Sequence, residues 1–375
     1  MNPNSENILL LEERATQSGH VIGVITLNSP KTLNSLTVSM IAKMTEALIS
    51  WQSRDDVVCV WLHGAGEKGL CAGGDIQALY RSMVASDSKE NDYAREFFET
   101  EYRLDYLIHQ YTKPIICWGD GIVMGGGMGL MAGATFRIVT EKSRLAMPEI
   151  TIGLYPDVGG TWFLNRMPGN VGLFLGLTGA SINASDALFA GLADRFIASE
   201  QKHNVMNELE NLPWGVAQSE YHGLIFQALA DAQVSSESLL PASKVREYYD
   251  LINTVTDQPD LPSMIGAITE LDTDDKWLLK AQASLLNGCP TTAALVYWQI
   301  TEGKFLSLKE VFQQELIISM QCALHPEFAE GVRALLIEKD MQPKWQHENV
   351  SVMDESWLNE FLAAPWVGEN PLDNL

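Results

Sequence analysis

Short apolar runs alternate with helical stripes over the first two hundred residues. Ile8–Leu11 and Val21–Leu27 are β-rich, and Val57–His63 is a β-branched run that ends in a glycine-rich loop. Between them Met40, Ile41, Met44 and Leu48 recur at helical spacing, which predicts a helix over Thr37–Trp51 with Thr37 as its N-cap. Tyr93–Tyr111 reads as a long helix, Pro114–Trp118 as a buried strand running into a second glycine-rich loop, and Arg137–Thr140 as a short strand. Strand pairs interleaved with helices predict an α/β fold. From about Lys202 the pattern turns almost wholly helical. The helical stretches are Trp214–Gln233, Ala242–Thr256, Lys276–Leu286, Thr291–Thr301, Leu308–Gln321 and Phe328–Glu338, with breakers at Pro259, Pro262, Pro290 and Pro343. The expected organisation is therefore a core over 1–200 and a helical region over 201–375. No internal repeat or low-complexity tract interrupts either.

A chain of 375 residues, 46 % apolar and 19 % charged, has room for a large core and is not disordered in composition. Its formal net charge of −23 opposes nucleic acid and anionic membranes as partners. An anionic ligand must then find a local basic patch or helix N-termini. The five cysteines (Cys59, Cys71, Cys117, Cys289, Cys322) show no CxxC pairing and no zinc spacing, and they read as reduced thiols in or near the core. The seven histidines form no i, i+4 pair and no HExxH, so no metal site is expected; no GxSxG marks a serine nucleophile. The opening MNPNSENILLLEE is acidic, without a basic segment or long apolar run, and the glycine-packed stretch from Gly121 to Phe136 is too short to span a bilayer. A cytoplasmic protein is expected.

Two glycine-rich loops carry the first chemical signal. Gly64, Gly66 and Gly69 make a GxGxxG match, but the next helix starts only near Asp75, which argues against a dinucleotide site; Gly69-Leu70 excludes a P-loop. The second loop, Gly121-Ile-Val-Met-Gly125-Gly126-Gly127-Met128-Gly129, precedes an apolar helix. Its three consecutive glycines let a ligand or another chain segment approach the backbone closely, and by itself a turn or tight helix packing explains them equally well. Each loop sets unhindered main-chain N–H groups at the entry to a helix. Two such donors converging on one point would form an oxyanion hole.

The run Met147-Pro-Glu149-Ile-Thr-Ile-Gly-Leu-Tyr-Pro156-Asp157 places two acids eight residues apart, with Gly153 and Pro156 between them to turn the chain back. Spacing alone favours two exposed loop acids in a chain that carries 48, over a pair facing one cleft.

Taken in order, Ser29-Pro30-Lys31-Thr-Leu33-Asn34-Ser35-Leu36, Cys71-Ala-Gly-Gly-Asp75, Met124-Gly-Gly-Gly127, Met147-Pro-Glu149 and Gly159-Gly160-Thr161 resemble the crotonase (enoyl-CoA hydratase/isomerase) superfamily over roughly residues 5–200. The tail segments Phe328–Asp340 and Pro343-Lys-Trp345 extend the likeness. The resemblance implies a ββα spiral core, followed here by the mostly helical C-terminal region, and an acyl-CoA substrate with no further cofactor. It matches the oxyanion-hole donors to Gly74 and Gly126. It sets Lys31 near the CoA nucleotide, where a phosphate contact competes with an ordinary surface lysine, and the Ala72–Gly73 backbone near the adenine. Hydratases of this superfamily use two glutamates. The chain keeps one, Glu149, and has Gly129 where the other would stand. Asp157, in the form Pro-Asp-Val-Gly-Gly, is similar to the 3-hydroxyisobutyryl-CoA hydrolase branch, as is Glu101, whose match in that branch holds the hydroxyl end of the substrate. The expected function is hydrolysis of a short 3-hydroxyacyl-CoA in valine catabolism, with Glu149, Asp157, Gly74 and Gly126 catalytic. The alternatives are an enoyl-CoA hydratase or isomerase and a non-catalytic CoA-binding protein. A homo-oligomer is left open by the sequence.

Overall fold

The structure is a computed structural model that describes residues 8–86 and 90–375. Most of the opening segment read above, residues 1–7, lies outside the described residues. Contacts group the chain into two units: unit 1 is Met1–Gly74, Leu107–Leu145 and Ile182–Ser243, and unit 2 is Asp75–Tyr106, Ala146–Ser181 and Lys244–Leu375. These interleave along the chain, whereas the pattern of apolar positions suggests a single division near residue 200.

Unit 1 is built on a six-stranded sheet in the order β1-β2-β3-β5-β7-β9. Its strands are β1 (Leu9–Ala15), β2 (Val21–Leu27), β3 (Val57–Gly64), β5 (Ile115–Gly119), β7 (Phe136–Val139) and β9 (Arg195–Phe196). The β1–β2 pair is antiparallel and the others are parallel. The continuous apolar run of β3 follows from this position, because an interior parallel strand is buried on both faces. Trp61 on β3 stacks on Trp118 of β5 at 5.4 Å. The core continues through Val205, Leu209, Trp214, Ile225 and Leu229. Helix α1 (Val38–Gln52) begins where expected: the Thr37 side chain accepts a hydrogen bond from Met40 N. A smaller sheet has the order β4 (Gly69–Cys71), β6 (Ile122–Met124), β8 (Arg144–Ala146).

Unit 2 contains α2 (Ile76–Ala85), which Asp75 caps by accepting from Ala78 N, and most of α3 (Asp92–His109). The rest is largely helical. Lys276–Asn287, Pro290–Thr301 and Leu308–Leu324 fall where the stripes predict them. Three places differ. Trp214–Gln233 narrows to Tyr221–Val234, with Trp214 packed edge-on against Tyr221 as a core residue in unit 1. Ala242–Thr256 divides into Lys244–Glu247 and Tyr249–Thr256. Pro262 proves to be no breaker: it occupies the first turn of a helix over Leu261–Thr269 whose N-cap is Asp260, a position where proline's missing N–H costs nothing.

Candidate active site

The glycine loops lie within unit 1 and meet there. Strand β4 pairs in parallel with β6, Gly69 opposite Ile122 and Cys71 opposite Val123. The approach is close enough to require glycine: a Cβ on Gly127 would lie 2.4 Å from the Cys71 carbonyl oxygen. One on Gly73 would lie 3.8 Å from Gly126 N, so the backbones around the two expected donors are neighbours. The first loop is tied to the Ser29–Leu36 segment. Ala72 N donates to Leu33 O, Leu36 N donates to Gly73 O, and Asn34 Nδ2 donates to Ala65 O and Gly69 O. This explains why those sequence-distant motifs travel together. Gly73 has φ +105°, the left-handed region, and Gly125, with φ +50°, precedes α4 (Gly126–Ala132). Gly126 opens that helix and has no acceptor within it. Among the described residues, the main-chain hydrogen bonds outside helices and strands include no donation from Gly74 N or Gly126 N. Lys31 is exposed on the turn Pro30–Thr32, Ala72 is half-buried and Gly73 is buried.

The acids gather in unit 2. Glu149 is 5 % exposed and Asp157 4 %, so the alternative of exposed loop acids fails for both, and Glu101, on a helix, is 2 % exposed and not solvated. Glu149 opens the turn Glu149–Thr151. The chain then reverses at Gly153 (φ +71°), where a Cβ would lie 2.5 Å from Glu327 O. Gly331 meets the Ile152 carbonyl as closely, so the Pro326–Val332 helix seats directly on the loop backbone. Past the turn, the loop's main chain is held residue by residue. Thr292 Oγ1 donates to Leu154 O (2.6 Å) and Gln299 Nε2 to Pro156 O (2.7 Å). Glu315, on Leu308–Leu324, accepts from Gly159 N (2.7 Å) and Thr161 N (2.9 Å). Val158 and Gly159 both have positive φ, so this fixation bears directly on where Asp157 points.

Asp157 accepts a hydrogen bond from the Tyr102 hydroxyl at 2.7 Å. That hydroxyl also shares a 2.5 Å bond with Ser319 Oγ, which is 3.1 Å from the Tyr155 hydroxyl. Tyr102 follows Glu101 on α3, so one helix supplies one acid and orients another. Burial pushes Asp157 up to about 6, while the Tyr102 hydroxyl pulls the other way. Burial, then the charge of Asp157, holds Glu149 and Glu101 well above the usual carboxylate range. Burial raises Glu315 to about 8 against the pull of its two amide donors. Burial and the charge of Asp157 thus both favour the protonated form of Glu149. All five cysteines are buried and none forms a disulfide, and burial pushes the Cys59 and Cys117 thiols up, away from thiolate chemistry.

Asp105, Tyr155, Glu315 and Ser319 were not foreseen as parts of this cluster. Glu315 and Ser319 left a trace: both lie on the buried face of an apolar helix, among Val311, Phe312, Leu316, Ile318 and Cys322. A lone acid in such a stripe asks for a partner.

Unit 1 thus presents main-chain donors of the kind that stabilise an oxyanion, and unit 2 presents buried carboxyls of the kind that move protons. The chain belongs to the enoyl-CoA hydratase/isomerase family, whose sequence profile matches residues 22–362. It is 38 % identical over 347 residues to the mitochondrial 3-hydroxyisobutyryl-CoA hydrolase of Danio rerio, covering 91 % of this chain and 87 % of that one. To the Homo sapiens protein of the same name it is 34 % identical over 379 residues, covering 96 % and 89 %. Among solved structures, a carnitinyl-CoA dehydratase from Mycobacterium thermoresistibile superposes with TM-score 0.81 at 32 % identity, covering 95 % of this chain and 96 % of that one. An enoyl-CoA hydratase from Rhodobacter sphaeroides gives 0.80 at 31 %, covering 94 % and 97 %. The crotonase fold expected from the motifs is thereby established.

Proposed function

We propose that the chain is an acyl-CoA thioester hydrolase that converts 3-hydroxyisobutyryl-CoA to 3-hydroxyisobutyrate and CoA, a step of valine catabolism. The observation that carries this reading is the buried set of Glu101, Glu149 and Asp157, with the Tyr102 hydroxyl on Asp157. The names of the curated relatives support it.

The amides of Gly74 and Gly126 receive the thioester oxygen as it becomes an oxyanion; one such donor is typically worth roughly 3–4 kcal/mol. Glu149 either takes a proton from the attacking water or attacks the carbonyl carbon itself, forming an anhydride that water then opens. Asp157 orients the water or passes a proton to the departing CoA thiolate. Glu101 accepts a hydrogen bond from the 3-hydroxyl and so favours hydroxyacyl over plain acyl chains. Lys31 contacts a CoA phosphate, and the Ala72–Gly73 backbone lies along the adenine. CoA belongs to the substrate, and no separate cofactor is invoked.

A second reading, hydration of an enoyl-CoA, draws on the names of the two superposed proteins, a dehydratase and a hydratase. Against it stands Gly129, buried in α4 without a side chain at the place of the second hydratase glutamate. A panel of short acyl-CoAs decides between them. Thiol release from 3-hydroxyisobutyryl-CoA supports the hydrolase; hydration of crotonyl-CoA without thiol release overturns it. CoA affinity with no turnover, unchanged in Glu149→Ala, would mark a binding protein instead.

Among the described residues no helix is long and apolar enough to cross a membrane. We place the protein in the cytoplasm, although the curated relatives' names say mitochondrial; cell fractionation tests this. A homo-oligomer remains part of the proposal, and sedimentation tests it.

A further inference from the structure

The reaction proposed above employs Glu101, Glu149 and Asp157 and leaves one acid of the cluster without a task. Asp105 lies four residues beyond Glu101 on α3, so the two carboxyls leave the same helix face one turn apart. Asp105 is 0 % exposed, and among the described residues neither of its oxygens has a hydrogen-bond partner; Glu101 Oε1 has none either. Two other buried acids show the contrast, while Glu149 Oε2 and Glu327 Oε2 have no hydrogen-bond partner among the described residues either. Glu315 accepts from two amides, and Asp186 accepts from Asn183 N and Ser243 Oγ.

The ionisable groups that act on Asp105 are all acids: Glu101 from its own helix, Asp157 from the loop and Glu315 from Leu308–Leu324. Asp157 likewise acts on Glu101. No ion pair among the described residues involves Glu101 or Asp105, and no three metal-ligating side chains gather there. Two buried carboxyls one turn apart, with no cationic side chain paired to them among the described residues, do not both ionise near neutrality. A neutral acid beside a carboxylate offers one donor and several acceptors. A hydroxyl group, which donates once and accepts twice, is its complement. The orphaned oxygens therefore point to a ligand that supplies hydrogen-bonding hydrogens at this spot.

We propose that Asp105 is a positioning residue that shares a single proton with Glu101, so that Glu101 meets the 3-hydroxyl of the acyl chain as half of a donor–acceptor pair while the pair's negative charge refuses acyl chains ending in a carboxylate. The proposal rests on the thioester-hydrolase reading for its substrate, but not for its proton. Burial, then like-charge repulsion, holds Asp105 well above the ordinary carboxylate range, in keeping with a retained proton.

Two measurements on the full chain test it. Infrared difference spectroscopy of the substrate-free protein at about pH 8 counts protonated carboxyls. Asp105→Asn and Glu101→Gln are each expected to remove the same single carboxyl band, and the double variant no more than either. Additive losses, or no loss from either, overturn the shared proton. The second measurement is the ratio of kcat/KM for 3-hydroxyisobutyryl-CoA over isobutyryl-CoA, followed against pH. In the native chain this ratio falls at alkaline pH, as the pair loses its proton. Asp105→Asn, a permanent donor, keeps the preference and loses that alkaline limb. Asp105→Leu lowers the ratio about tenfold, the worth of one hydrogen bond to a charged group. An alkaline limb surviving in Asp105→Asn, or an unchanged ratio in Asp105→Leu, overturns the positioning role. If the native chain releases no thiol from any acyl-CoA, the functional reading fails while the infrared count still decides the proton.

Discussion

The glycine loops of unit 1 and the acid cluster of unit 2 solve opposite problems. The first makes chemistry by leaving side chains out. Gly127 admits the Cys71 carbonyl, and Gly73 takes a φ that other residues rarely adopt. What remains is main chain, fixed by its neighbours and insensitive to pH. The second makes chemistry by burying side chains that water would rather keep. Glu101, Glu149, Asp157 and Glu315 all carry raised pKa values, and their alignment depends on Tyr102, Ser319 and the main-chain bonds around 154–161. One region is rigid by geometry. The other is balanced electrostatically, and the two should respond differently to mutation and to pH.

The sharpest break comes in the acid cluster. Glu149→Ala deletes the group proposed to attack or to take the proton, and kcat for thiol release should fall by roughly 10²–10⁴-fold while CoA affinity is kept. Undiminished turnover in that variant would remove Glu149 from the mechanism. The main-chain region should fail more bluntly. In Gly127→Ala the new methyl stands 2.4 Å from backbone that cannot swing aside, so the loop must shift. A stability loss of about 1–3 kcal/mol is expected in denaturant unfolding. Because a proposed oxyanion donor moves with the loop, kcat should also drop roughly 10²–10³-fold. That drop should be the same at every pH, whereas defects in the acid cluster should move the pH profile. A pH-dependent defect in Gly127→Ala would count against the division drawn here.

Stability against pH extends the comparison to the whole chain. A carboxyl whose folded pKa is raised binds more protons folded than unfolded, so its contribution is present at low pH and is lost as pH rises through the folded value. Asp157 at about 6 and Glu315 at about 8 place that loss between the ordinary carboxylate range and about pH 8. Surface acids held by Arg or Lys, such as Asp275 at about 2, act in reverse and lose their contribution only under strong acid. Thermal unfolding should therefore show a Tm maximum near pH 5, falling toward pH 8. In Glu315→Ala the alkaline fall should flatten, on top of a loss of about 1–3 kcal/mol for two unpaired amides. A Tm that climbs steadily from pH 5 to about pH 8 would show the cluster to be ionised at little cost.

How much of this was legible in the sequence follows the same line. The glycine loops could be read because their signal is local: three consecutive glycines and an Ala-Gly-Gly stand out without knowledge of the fold. The continuous run of β3 and the N-cap at Thr37 were legible for the same reason. The acids were visible as residues, but their burial was not. Spacing of eight cannot distinguish a solvated loop from one roofed by helices more than a hundred residues further on. The bonds that settle the matter, Tyr102 to Asp157 and Glu315 to Gly159, span 55 and 156 positions. The helix starting at Leu261 was missed because Pro262 was weighed as a breaker and not as a first-turn residue.

The smallest expected effect probes the balance most directly. Tyr102→Phe removes one hydroxyl and keeps the ring that packs against Phe98 and Phe312. Asp157 then loses the hydrogen bond that opposes burial, so its pKa moves up from about 6, and the Ser319 hydroxyl loses a partner. A net destabilisation of about 1 kcal/mol is expected at neutral pH. The kinetic consequence is directional. If Asp157 must be ionised, the acidic limb of kcat/KM should move to higher pH, with turnover on the alkaline plateau reduced only a few-fold. An acidic shift would mean that the hydroxyl stabilises neutral Asp157 and that the proton in this part of the cluster sits on the aspartate; an unmoved limb would mean that Asp157 does not govern the rate. The unmoved limb would transfer the control of pH to Glu149, the group that burial and the charge of Asp157 already hold above the ordinary range.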